Sequence, residues 1–149
     1  MVTLENVLEM WKTDSVIDEN DLDNVTIQTS KLHAKYLELF AVAKLQLKSN
    51  ENKLDVIKKD KWLYFTGKMT QQQMDDKGWA YDPFQGMSKP LKSEMDMYYN
   101  SDKDIVKARD LIQYSKTLIE TLEEIINSIR WRHQHIKNII EFRKFTSGI

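Results

Sequence analysis

Apolar residues in the first half of the chain recur with helical spacing. Tyr36, Phe40, Ala43, Leu47, Leu54 and Ile57 follow one another at alternating three- and four-residue steps, with the polar Asn50 the one interruption. This pattern predicts a helix over residues 22–66, and the polar run Ser49-Asn50-Glu51-Asn52 marks the place for a kink. A shorter helix is predicted over residues 4–12, and Asp18 or Asn20 stands where a cap for the second helix belongs.

The second half carries a seven-residue repeat. Ile105, Ile112, Ile119, Ile126, His133 and Ile140 form one row, and Leu111, Leu118, Ile125 and Ile139 a parallel one. Ala108, Ser115, Leu122, Ile129 and Ile136 form a third. A helix over residues 101–145 follows, with Ser101 and Asp104 in the positions of a capping box. Three apolar positions per heptad give a face wider than a two-stranded seam needs. Two long helices shield little surface from both sides, so self-association is expected through Ile112, Leu118, Ile119, Leu122, Ile125, Ile126, Ile129, His133, Ile136 and Ile140. His133 falls at a core position of the repeat.

Both prolines and three of the four glycines lie between Gly67 and Pro90. The chain of 149 residues is therefore predicted to be one all-α domain in three parts. These are N-terminal helices over 1–66, a flexible connector over 67–100 and a C-terminal oligomerisation helix over 101–149. The long helices would form an antiparallel, hairpin-like protomer with a coiled-coil-like last helix. Trp79, Tyr81 and Phe84 in the connector are expected to be pinned to the nearby helices.

Charge changes the picture more than composition does. The net charge is −1, yet Met1–Asp23 holds seven acids against the single base Lys12. Lys44–Lys68 holds seven lysines and three acids, and from Ser128 onward five basic residues face only Glu141. An acidic head with two basic zones suits a binding protein with several partners. The absence of cysteine excludes disulfides and thiolate metal sites. The start of the chain lacks a signal-peptide pattern, and no apolar run approaches the ~18 residues of a membrane span, so a soluble, cytoplasmic protein is expected.

The richest chemistry lies in Lys58-Lys59-Asp60-Lys61-Trp62-Leu63-Tyr64-Phe65-Thr66-Gly67. On a helix, Lys58, Lys61, Trp62, Phe65 and Lys68 share one side. Cations for a phosphate backbone beside rings for stacking are what sequence-tolerant binding of single-stranded nucleic acid requires. Lys58, Lys59, Lys61, Trp62, Tyr64, Phe65 and Lys68 are the candidate residues. The plainer explanation is that the rings pack on a neighbouring helix while the lysines offset the helix dipole.

Catalysis finds no support. His133 and His135 project roughly 200° apart on a helix and cannot chelate one ion together. No Glu-x-x-His element or phosphate-binding glycine loop is present. Neither a metal nor a cofactor is expected.

Lys92-Ser93-Glu94-Met95, followed after five residues by Ser101-Asp102-Lys103-Asp104-Ile105, resembles the UvsY family of phage recombination mediators. The family has a K-S-E-M element and then D-K-D with an aliphatic residue at the same distance. Ile17-Asp18 matches its I-D, and Gln113-Tyr114 its Q-Y pair. Arg143-x-Phe145-x-x-Gly148 matches its R-x-F-x-x-G ending. Lys59-x-Lys61-x-x-Tyr64-Phe65-Thr66-Gly67 is similar to its K-x-R followed by two aromatics, a hydroxyl residue and glycine. The order is kept over nearly the whole chain. The connector is longer and richer in rings than the family pattern. Lys61 stands where that pattern has arginine, keeping the charge without the planar fork.

The resemblance implies single-stranded DNA binding and a homo-oligomeric ring of roughly six or seven subunits formed through the C-terminal part. It also implies action in the cytoplasm of an infected bacterial host. There the protein would help a RecA-like recombinase replace single-strand-binding protein on DNA, without catalysis. A helical scaffold or adaptor with no nucleic-acid role is the alternative, and the basic-aromatic patch is what separates the two.

Overall fold

The computed structural model describes residues 1–148 and shows only helices among them. They are α1 (Leu4–Asp14), α2 (Leu22–Phe65), α3 (Gln71–Lys77), α4 (Met95–Ser101), α5 (Lys103–Arg130) and α6 (Arg132–Ser147), with a 3₁₀ turn at Lys92–Glu94. α2 runs unbroken through Ser49–Asn52, because Asn50 turns inward and is buried rather than competing with the backbone. Neither Asp18 nor Asn20 caps it; the Asp18 carboxylate accepts from the Asn20 N–H in the preceding turn, and Asp21 accepts the first helical bond, from Val25. The chain divides into two compact units, and each of the two longest helices contributes to both.

One unit comprises Met1–Leu47 and the chain from Tyr114 onward. Its core is Val7 of α1, Tyr36 and Ala43 of α2, and Leu118, Leu122, Ile125, Ile126 and Ile129 of α5. The fully buried Tyr36 meets Trp11 edge-on at 5.6 Å and donates its hydroxyl to Asp14 at 2.9 Å. Lys35 reaches the same carboxylate at 2.6 Å. Burial alone would raise the pKa of Asp14, but these two hydrogen bonds and the charges of Lys35 and Arg132 reverse the sign and lower it.

The C-terminal repeat keeps its period but not its expected continuity. Trp131 is a turn residue between α5 and α6, although its backbone stays in the right-handed helical region at φ −86° and ψ −1°. The buried series is Ser115, Leu118, Leu122, Ile125, Ile129, Arg132 and Ile136, so Arg132 takes the core place expected of its neighbour. Its guanidinium donates to the carbonyls of Asp14 and Val16, both at 3.2 Å, and satisfies groups at the end of α1. His133 points to solvent instead, with Nδ1 2.8 Å from the Arg130 carbonyl.

The second unit, Lys48–Gln113, contains the predicted connector, which is folded against the end of α2. Tyr64, Phe65, Met69, Met74, Phe84 and Met95 form its core, with Trp79, Tyr98 and Tyr99 at the margin. α3 starts on a reciprocal capping box of Thr70 and Gln73 and stops at Gly78. The expected box of Ser101 and Asp104 is not formed. Ser101 lies inside α4 and bonds back to Met97, while Asp102 caps α5 by accepting from the N–H groups of Asp104 and Ile105.

Candidate nucleic-acid interface

The basic-aromatic segment closes α2, and its ending is set by Gly67. That residue has φ +73°, and its N–H bonds to the Tyr64 carbonyl while that of Lys68 bonds to Leu63. The two bonds make a Schellman stop, which needs a left-handed residue just past the helix. The segment therefore has an inner side, packed on the folded connector, and an outer side facing solvent.

Three predicted DNA contacts lie on the inner side. Tyr64 and Phe65 are buried, so neither ring offers a face to a base. Phe65 packs against Phe84, Tyr98 and Tyr99 with ring centroids 5.7–6.2 Å away. Tyr64 lies 5.0 Å from Trp79 and donates its hydroxyl to the Ala80 carbonyl at 2.6 Å. Lys61 is 5 % exposed, with its ammonium 3.0 Å from Asp102, 2.9 Å from Asp104 and 3.9 Å from the centroid of Trp79. It is fully engaged within the fold. The Lys61 hydrogen bond and charge, with help from Trp79, hold the Asp104 carboxyl below the usual carboxylate range. The two rings pack as the plainer explanation expected, whereas Lys61 is held by two carboxylates rather than by the helix dipole.

The outer side retains Lys58, Lys59, Trp62 and Lys68. Lys59 and Lys68 are exposed, Lys58 is half-buried beside Tyr99, and Trp62 is 40 % exposed. Lys68 places its ammonium 4.3 Å from the centroid of Trp62. None of these lysines has an ion-pair partner among the described residues, unlike Lys61. An indole with a cation over it, beside unneutralised ammonium groups, can stack a base and hold phosphates.

The predicted oligomerisation residues divide in the same way. Leu118, Leu122, Ile125, Ile126, Ile129 and Ile136 are buried within their own unit and leave no surface for a neighbour. Ile112 and Ile119 are half-buried, Ile119 against the core cluster. Exposed apolar residues are spread over α2, α5 and α6; on α6 and its approach they are Trp131, Ile140, Phe142 and Phe145. Phe142 and Phe145 were outside the sequence-based set because they break the seven-residue rows.

Among the described residues no cluster of metal-ligating side chains occurs, and no helix is long and apolar enough to cross a membrane. A family model for the recombination, repair and ssDNA-binding protein UvsY matches residues 10–149. The chain belongs to the UvsY family. The recombination protein uvsY of Enterobacteria phage T4 is 26 % identical over 145 residues, covering 97 % of this chain and 98 % of its own. A crystal structure of the bacteriophage T4 recombination mediator protein UvsY, lattice type II, superposes with TM-score 0.80 at 24 % identity, covering 99 % of both chains. The type IV lattice of the same protein gives 0.78 at 23 % identity, over 97 % of this chain and 99 % of that one. The all-α fold is thus the one those structures show.

Within the UvsY pattern, the distances link two separate sequence motifs. Lys61 of the basic motif pairs with Asp102 and Asp104 of the Asp-Lys-Asp motif. Complementary charge at two fixed motifs was the signal available in sequence, and a binding role for the lysine obscured it. Trp79 and Phe84 pack on the end of α2 as expected, whereas Tyr81, expected to be pinned with them, is exposed.

Proposed function

We propose that this UvsY-family protein is a recombination mediator that binds single-stranded DNA along Lys58, Lys59, Trp62 and Lys68. It helps a RecA-like recombinase replace single-strand-binding protein on that DNA, in the cytoplasm of the infected host. The carrying observation is the outer side of α2, where lysines without acidic partners flank an accessible indole. A scaffold without a nucleic-acid role would account for the buried Lys61, Tyr64 and Phe65, but has no use for that outer surface.

Trp131, Ile140, Phe142 and Phe145 are the surface through which subunits join into a ring. One strand engaging several modest sites gains about 10²–10⁴ over a single site through effective concentration. Bending the strand across the ring weakens the competing coat protein and presents DNA to the recombinase. The test is recombinase filament assembly on coated single strands, followed with labelled recombinase. The protein should shorten the lag before assembly, and an unchanged lag would reject the mediator role.

A further inference from the structure

We propose that Lys89, in the segment between α3 and α4, is a further phosphate-contacting residue of the same DNA surface. The inference rests on the DNA-binding reading above and adds a residue from a distant part of the sequence. Gly67 brings it there. A Cβ placed on Gly67 would lie 2.2 Å from the Lys89 ammonium and 2.7 Å from its Cε, so the lysine side chain lies across the bare backbone of that glycine. Gly67 is the residue before Lys68, whose ammonium covers Trp62.

The segment is fastened on both sides of the lysine. Phe84 is buried against Phe65 and Tyr98, and the Leu91 N–H donates to the Glu94 carboxylate at 2.8 Å, next to the buried Met95. Pro90 follows directly and biases Lys89 away from helical backbone. Lys89 is exposed and has no ion pair among the described residues. Two unneutralised ammonium groups flanking one glycine, beside an indole, suit a phosphate whose base stacks on Trp62.

The competing role is a cation that merely satisfies the end of α2, whose last turn contains no basic residue. Salt titrations separate the two, using a labelled oligothymidine short enough to meet one subunit. Lys89→Ala should lower the slope of log affinity against log salt by about 0.7, so its deficit relative to the parent narrows about 2.5-fold between 50 and 200 mM. Its melting temperature should match the parent, Lys89→Arg should restore the slope, and Lys12→Ala, a control distant in sequence, should leave it alone. A parental slope in Lys89→Ala, with or without a lower melting temperature, overturns the proposal and leaves the DNA-binding reading standing. If the parent shows no salt-dependent binding, that reading fails and Lys89 falls with it.

Discussion

Replacing Lys61 by alanine should unfold the protein more readily without weakening its grip on DNA. The ammonium lies between Asp102 and Asp104 and against the face of Trp79. Removing it leaves two carboxylates facing each other with no cation between them. Breaking a buried ion pair costs about 3–5 kcal/mol. The Asp102 side chain is 11 % exposed but that of Asp104 is 52 % exposed, so water relieves part of the loss. The lower end, about 3 kcal/mol, is therefore expected. At about 2–4 °C per kcal/mol for a chain of this size, the melting temperature should fall about 6–12 °C. Urea unfolding should show a lower midpoint at unchanged slope. DNA titrations well below the transition should give parental affinity and a parental salt slope. Lys61→Arg should recover stability, because a planar guanidinium can bridge two carboxylates and stack on an indole. Unchanged melting of Lys61→Ala, together with a flatter salt slope, would refute this account and return Lys61 to the DNA site.

Trp62→Ala should cost about 1–3 kcal/mol of DNA binding with little effect on folding. Phe65→Ala should instead cost about 3–5 kcal/mol of stability, and paired melting and binding curves distinguish them. Ile126→Asp should prevent folding, whereas Phe142→Asp should keep parental circular dichroism yet sediment as smaller species; persistence of the full assembly would remove α6 from the subunit contact. Acid should destabilise the protein in a defined window. Asp14 and Asp104 both have lowered pKa values in the fold, so the stability they contribute is present above the usual aspartate value and is lost as pH falls through their lower folded values. Asp104→Asn should flatten that part of the stability profile, measured by urea midpoint against pH.

The helices were legible because their signals are local and redundant. The Tyr36–Ile57 stripe survives in α2 even with Asn50 inside it, since a buried polar residue with a partner leaves the period intact. The C-terminal period was equally clear, but a period does not say who covers the face. Leu122 and Ile129 looked available for a second subunit because two long helices alone shield little surface; Val7 of α1 and Tyr36 of α2 instead share their core. Arg132 took the core place expected of His133, because hydrophobicity ranks neither one inside and only the carbonyls of Asp14 and Val16 decide. In the candidate site, spacing put Lys58, Lys61, Trp62, Phe65 and Lys68 on one side, whereas Lys61 and Phe65 are buried and Trp62 and Lys68 are exposed. It could not divide them into inner and outer sets, since that division depends on where residues 67–100 fold.

The central claim is that single-stranded DNA follows the outer side of α2 through Lys59, Trp62 and Lys68. Its most direct test is the salt dependence of affinity for a short labelled oligothymidine, comparing parent protein with the Lys59→Ala, Lys68→Ala double variant. Two lost phosphate contacts should lower the slope by about 1.4, at parental melting temperature and parental assembly state. A double variant with the parental slope would contradict the account.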